Sequence, residues 1–439
     1  MRVFLQAIFG QVIFTLYIYL RLRAVLPRHR RLPLTLFVAL EWALYFFGYF
    51  THRDLPDSIL VPILMICGTW YIASIYLLTG MLLVDLLRWI YRRRPAWFPA
   101  WVQSNGLRLR RGAYLFILVF TVGLMIQGYH NVEVPIVKHI DIHIPKAVPG
   151  RDSLTVVMMS DTHFGESIGK RNAQHFVALS NAEHPDMVII DGDIIDYELR
   201  IAAREHIEDD LRKLRAPLGV YITLGNHEYR ANRIAKQRWL RQTGGTLLID
   251  SVVHPDSTFT LVGRDDFTNR RRASLSHLLR GVDMSRPVIV ADHQPKFHEV
   301  AMNGADLGLF GHTHAGQIWP FTWIIKLAYA HTYGYFREGP AQFYISSGIG
   351  CAGPPYRIGT RSELVVLHIR FEKPTSPGDT MMSTPSPLPH YAQQTAPPAA
   401  ALHGNDHRPC TIRKPCRQPR SRPPDDPSSH RTTHRPLGP

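Results

Sequence analysis

The chain has 439 residues, 45% of them hydrophobic, with 50 Lys+Arg against 35 Asp+Glu and a formal charge of +15. That length suits two or three domains with a sizeable core, and four scattered cysteines (Cys67, Cys351, Cys410, Cys416) exclude a disulfide framework or a cysteine-rich zinc module. The charge is unevenly placed: residues 1–130 hold 14 basic and 4 acidic residues, 131–372 hold 27 and 27, and 373–439 hold 9 and 4.

Residues 1–130 read as an α-helical transmembrane domain of about four spans. Apolar runs extend over Val3 to Leu20, Leu34 to Phe50, Ile59 to Leu87 and Ala113 to Ile126, and a bilayer crossing needs about 20 mainly apolar residues. A cleaved signal peptide would need a small-residue cleavage site after the first run and no further spans. Trp42, Tyr45, Trp89, Trp97 and Trp101 near run ends fit the aromatic belts of a membrane interface. Arginines orient the spans, since cytoplasmic loops retain Lys and Arg. Arg21, Arg23, Arg28, Arg30 and Arg31 follow the first run, and Arg88, Arg92, Arg93, Arg94, Arg108, Arg110 and Arg111 follow the third. With both loops inside, residues 131–372 face the extracytoplasmic side. Glu41, inside the second run, is either functional or a helix-packing carboxyl bonded to a neighbour.

Short apolar runs then end in polar clusters: Leu154 to Met159, Met187 to Ile190, Gly219 to Leu224, Phe259 to Val262, Val288 to Val290, Leu307 to Phe310, Phe343 to Ile345 and Leu364 to Leu367. Such runs suit strands buried on both faces, and the stretches 171–183, 201–214 and 234–242 read as helices, giving an α/β layout. Functional groups in such folds gather at the carboxyl ends of strands. Here Asp161-Thr-His163, Gly192-Asp193-Ile-Ile-Asp196, Gly225-Asn226-His227-Glu228, Asp292-His293 and Gly311-His312-Thr-His314 each follow a strand. In an extended segment residues i and i+2 point the same way, so Asp161 with His163, and His312 with His314, are expected to serve one locus each. Residues 373–439 hold 15 of the 33 prolines and one aromatic residue, Tyr391, and are expected to be a disordered basic tail.

The five ordered elements resemble the calcineurin-like metallophosphoesterase superfamily, in particular its bacterial membrane-associated branch, to which Gly311 to Gln317 and Ser346 to Gly350 are similar. The resemblance implies a two-sheet β-sandwich flanked by helices over residues 131–372. It also implies a binuclear metal site: Asp161, His163, Asp193 and His314 around one divalent ion, Asp193, Asn226, His293 and His312 around the other, and His227 as catalytic residue. Mixed imidazole and oxygen donors suit Mn, Fe or Zn and leave the choice among them open. A bridging hydroxide would attack phosphorus, with Glu228 and Asp196 either orienting histidines or merely solvated.

The expected function is hydrolysis of phosphate esters at a membrane, diesters or lipid-linked esters foremost. The alternatives are a nuclease, against which the neutral middle block argues, and a transporter or receptor with a metal-binding appendage. His175, His184, His254, His277 and His298 are expected at the surface or in packing. Arg264, Arg337 and Arg357 are either phosphate-binding or solvated. The aromatic cluster Trp319, Pro320, Phe321 and Trp323 is either a wall against an apolar substrate or bilayer, or a core loop.

Overall fold

Every apolar run of the N-terminal block is helical in the computed structural model, which describes residues 2–51 and 55–372; the expected tail, 373–439, lies outside the described residues. The helices are α1 (Arg2–Val25), α2 (Arg31–Thr51), α3 (Asp57–Arg93), the short α4 (Ala100–Ser104) and α5 (Gly106–Glu133). Against the four runs read from the sequence, three helices among the described residues are long and apolar enough to cross a membrane: Arg28–Thr51, Asp57–Arg93 and Gly106–Glu133. α1, 24 residues long, packs against α3 beside them. Outward faces are apolar, with Leu36, Phe37 and Leu40 of α2, Leu82, Leu83 and Leu86 of α3 and Phe116, Val119 and Phe120 of α5 all exposed.

Both arginine-rich connections lie at one end of this bundle. Arg111 donates to the Val25 carbonyl at 2.8 Å, and Asp85 pairs with Arg21 at 2.5 Å and Arg88 at 3.1 Å. Glu41 is buried and accepts a hydrogen bond from Gln11 of α1, so it joins two helices as a packing carboxyl does.

From Ile136 onward the chain builds two six-stranded mixed sheets. Their strands are β1 (Ile136–Ala147), β2 (Ser153–Ser160), β3 (Met187–Asp191), β4 (Val220–Thr223), β5 (Thr246–Leu247), β6 (Ser251–Val253), β7 (Thr260–Gly263), β8 (Val288–Ala291), β9 (Leu307–Phe310), β10 (Gly334–Glu338), β11 (Ala341–Ile345) and β12 (Glu363–Glu372). The orders are β1-β12-β2-β3-β4-β5 and β10-β11-β9-β8-β7-β6. Alternation along β2 shows why the sheets face each other. Val156 and Met158 enter the core between the sheets with Leu261, Ile289 and Leu309, while Val157 and Met159 enter the core under the helices on the outer face.

Four helices flank the first sheet's sequence: α6 (Lys170–Ala182), α7 (Leu199–Arg204), α8 (Ile207–Leu211) and α9 (Arg233–Leu240). The single helix expected over 201–214 is therefore two. His206, at φ 53°, breaks it, and the break lets Ala202 on one side and Ile207 and Leu211 on the other all reach the same core.

The helical block and the sandwich meet along α3 and α5. Ile72, Tyr76 and Met125 pack with Ile318, Tyr356 and Ile358. The Thr69 and Tyr356 hydroxyls lie 2.8 Å apart, and Arg357 N–H donates to the Gly128 carbonyl at 3.0 Å. Nearer the start of α3, Asp57 pairs with Arg200 at 2.5 Å and with Arg204.

Candidate metal centre

The chain folds five strand ends into one place, and it does so through left-handed turns. Asp161 (φ 54°), His163 (48°), Asp193 (49°), His312 (71°) and His314 (50°) all have positive φ. The extended i, i+2 geometry expected for Asp161/His163 and His312/His314 is therefore not what the structure shows: Asp161 and His163 do share one cluster, but His312 and His314 go to different ones. Each such residue costs about 1–2 kcal/mol relative to a right-handed one, least for Asp and His among ordinary residues. Backbone bonds between the turns hold them: Asp161 N–H donates to the Gly192 carbonyl at 3.1 Å and His163 N–H to the Asp193 carbonyl at 3.0 Å.

Glycine precedes three of the ligand candidates for a steric reason. A Cβ at Gly225 would collide with the Asp193 carboxylate, and one at Gly311 with the Ser160 hydroxyl and the Asp161 carboxylate. The small residue is what allows neighbouring turns to approach this closely.

Asp161, His163, Asp193, His227, His293 and His314 are buried, and Asn226 and His312 half-buried. Among the described residues, three groups of donors lie close enough to hold a cation: two made of expected ligands alone, Asp161 with His163 and His314, and Asp193 with His293 and His312, and a third of His163 with Asp196 and His227. Asp193 lies between the first two, its Oδ2 3.1 Å from His293 Nε2 and 3.9 Å from His163 Nε2. In the first cluster, His314 Nε2 is 3.2 Å from Asp161 Oδ1 and 3.0 Å from His163 Nε2. In the second, one end of the Asn226 amide lies 2.7 Å from His312 Nδ1 and 3.3 Å from Asp193 Oδ2.

These groups fit divalent cations on two grounds. His293 donates from Nδ1 to the Asp191 carbonyl at 2.8 Å, which turns its Nε2 into the site, where that buried atom, though 3.1 Å from Asp193 Oδ2, makes no well-aligned hydrogen bond. Buried carboxylates also need positive charge beside them. Against the cost of burial, the neighbouring carboxylates of Asp161 and Asp196 push His163 up to about 10, and the carboxylates of Asp193 and Asp161 raise His293 well above its ordinary value. Burial likewise opposes ionisation of Asp193, yet the imidazoles of His293, His227 and His163 hold it well below the usual carboxylate range.

A supporting layer orients the cluster. Asp196 receives His163 Nδ1 and lies 3.1 Å from Nδ1 of both His163 and His227, so of its two expected roles it takes that of histidine orienter. Glu228 does neither. Fully buried, it accepts the N–H groups of Asp193, Ile194, Ile195 and Gly225 at 2.8–3.0 Å and so fixes the loop that carries Asp193. Buried Lys236 donates to the His227 carbonyl at 2.7 Å.

Arg357 and Arg264 are buried, and thus not solvated as one reading had it. The Arg357 guanidinium donates to the carbonyls of Ser347, Gly348 and Gly350 and lies 3.2 Å from His314 Nδ1, which occupies it as a brace between α5 and the site. Arg264 lies 3.3 Å from Glu299 and 3.8 Å from Asp292. Arg337 is exposed, as are His175, His184, His254, His277 and His298. Sequence reasoning passed over Tyr329, whose ring stands 6.2 Å from that of His312; no local motif marks it.

Comparison with known proteins places this geometry. Residues 154–316 match the family model described as calcineurin-like phosphoesterase. An uncharacterised metallophosphoesterase of Campylobacter jejuni is 30% identical over 317 residues, covering 70% of this chain and 83% of the relative. One of Helicobacter pylori is 31% identical over 277 residues, covering 61% and 72%. A Danio rerio transmembrane protein with a metallophosphoesterase domain is 29% identical over 364 residues, covering 77% and 80%.

Proposed function

Because the chain belongs to the calcineurin-like metallophosphoesterases, we propose that it is a multi-pass membrane hydrolase of phosphate esters. On this reading it works with two divalent ions, its α/β domain lies outside the cytoplasm, and its substrates are diesters or lipid-linked esters. The observation that supports it best is the place of Asp193, a buried carboxylate within reach of both histidine clusters. Asp161, His163, Asp193 and His314 would hold one ion; Asp193, Asn226, His293 and His312 would hold the other. Bound there, such a pair supplies Lewis acidity towards phosphoryl oxygens and a nucleophile derived from water near neutral pH.

The chain's own residues do the rest. Glu228 fixes the Asp193 loop before substrate arrives, so little reorganisation is left for the reaction. His227 turns Nδ1 towards Asp196, which leaves Nε2 facing the centre, 4.0 Å from Asp193 Oδ2. From there it donates a hydrogen bond to the phosphoryl group or a proton to the departing alkoxide. The balanced charge of residues 131–372, 27 basic and 27 acidic, favours this reading over a nuclease, whose groove carries an excess of cations.

The test is a hydrolysis screen over phosphomonoesters, diesters, pyrophosphates and phospholipids after reconstitution with Mn, Fe or Zn. Turnover of a membrane-borne ester that is lost in Asp193→Ala, with membrane insertion intact, is the expected result. Undiminished turnover in that variant would overturn the proposal.

A further inference from the structure

Outside the helices, exposed apolar surface gathers in one excursion of the α/β domain. Directly after the Gly311–Gln317 loop the chain departs at Trp319 and makes one turn of helix, Phe321–Ile324, then a 3-10 turn, Ile325–Leu327. Phe321, Trp323, Ile324 and Leu327 are all exposed, Leu327 to 89%. Four large apolar side chains within seven residues, with exposed Lys326 among them, form a contiguous patch of the kind that marks a binding surface. A mixture of aromatic, aliphatic and lysine side chains matches the boundary between acyl chains and anionic headgroups.

Both ends of the excursion are anchored, and the anchors give its level. At one end Trp319 stacks on Tyr76 with ring centroids 6.5 Å apart, its carbonyl accepts the Tyr76 hydroxyl at 2.7 Å, and Ile318 packs with Ile72 and Met125. Tyr76 and Ile72 lie well inside the apolar stretch of α3, and α5 exposes Phe120, Val122 and Ile126 around Met125. The excursion therefore leaves the domain beside the apolar flank of the helices and not beyond their ends. At the other end, the hydroxyl of Thr313, between His312 and His314, donates to the Thr332 carbonyl at 2.6 Å, and the Tyr329 ring faces His312. One short segment thus carries a wall of the metal centre at one end and an apolar outer face in its middle.

We propose that Phe321–Leu327 lies in the leaflet adjoining the α/β domain, so that the metal centre opens at headgroup depth and takes its phosphate ester from lipids of the bilayer that the chain itself spans. The inference rests on the membrane-spanning phosphoesterase reading above and adds to it the surface that docks and the route by which substrate arrives.

The test uses the full chain in nanodiscs of phosphatidylglycerol and phosphatidylcholine. In a background of Cys410→Ser and Cys416→Ser, where the remaining Cys67 and Cys351 are buried, single cysteines are placed by Leu327→Cys, Phe120→Cys on α5, and Met302→Cys on an exposed site of the α/β domain. Each carries an environment-sensitive fluorophore, read by quenching from spin-labelled acyl chains against aqueous iodide. The expected result is lipid quenching at positions 327 and 120 and iodide quenching at 302. Position 327 behaving like 302 while 120 stays in lipid overturns this inference alone; iodide access at 120 brings down the spans and the inference with them.

A kinetic arm tests the substrate route. The triple variant Trp323→Ser, Ile324→Ser, Leu327→Ser should lose at least tenfold in kcat/KM on a phospholipid in vesicles and keep its rate on soluble bis(p-nitrophenyl) phosphate. An unchanged vesicle rate, or an equal fall on both substrates, overturns the route. A wild-type chain inert on both would sink the phosphoesterase reading and the route with it, whereas the quenching result needs no turnover and decides the docking by itself.

Discussion

The helical block and the α/β sandwich solve opposite problems with the same residue types. In the sandwich, Leu309, Val156 and Met158 are buried between sheets, and a set of Asp and His side chains at its strand ends converges on a centre where most are removed from water. In the helical block the pattern is reversed: Phe116, Val119 and Phe120 point outward, while Gln11, Thr15 and Glu41 are buried between helices. The contrast is what two solvents would produce, since lipid exerts no hydrophobic pressure on an apolar face and water does. The Phe321–Leu327 excursion belongs to the sandwich by chain position and to the helical block by its exposure.

Four measurements would sharpen or break this contrast. The largest effect is expected at the centre: Asp193→Ala should lower turnover by roughly a thousandfold or more, and chelation of the bound ions in the wild-type chain should do the same. Activity surviving either treatment would show that the buried polar array is structural. Next, Leu309→Ala should destabilise the sandwich by about 2–5 kcal/mol, whereas the equally apolar Phe120→Ala should change denaturant stability in detergent by less than about 0.5 kcal/mol. Similar losses at both positions would mean that Phe120 packs against protein.

A smaller change is expected from Asp196→Asn, which keeps the volume but weakens the partner of His163 and His227; about 10- to 100-fold in metal affinity or activity is the expected loss, read by metal titration and by kcat. The smallest is Asp57→Asn at the junction of the two regions. Asp57 is itself buried, but Arg200 and Arg204, which pair with it, are about half exposed and can return to water, so the loss should be about 1 kcal/mol in thermal unfolding of the intact chain.

Much of the sandwich was legible because its strands are local events. The runs from Leu154, Met187, Val288 and Leu307 are continuous and apolar because both of their faces are buried, and each observed strand begins within a residue or two of the run. β1 escaped notice for the opposite reason. At the sheet's edge it buries Ile142 and Ile144 while Asp141 and His143 face outward, so its signal is alternation and not a run. The split of the 201–214 helix at His206 has no comparable local mark, because the gain lies in where Ile207 and Leu211 pack.

At the candidate centre, the order and identity of the polar residues could be read from the chain, and the eight residues singled out do converge. How they converge could not. Nothing in Asp161-Thr-His163 announces two left-handed residues, nothing in Gly-Asn-His-Glu distinguishes a histidine orienter from a carboxylate that collects four backbone N–H groups, and nothing near Arg357 foretells that three carbonyls of the Ser347–Gly350 turn will occupy it.

By itself, then, the sequence determined which segments are apolar and at what period, where arginines accumulate, and which donor atoms follow which strand, because each of these is set by residues adjacent along the chain. Tertiary structure decided the order of strands in the two sheets, the division of labour between Asp196 and Glu228, the bracing of His314 by Arg357 and the setting of the Trp319–Tyr329 excursion between α3 and His312. Each of those depends on groups tens to hundreds of residues apart, whose meeting is fixed by burial and hydrogen bonding in the folded chain and leaves no local pattern behind.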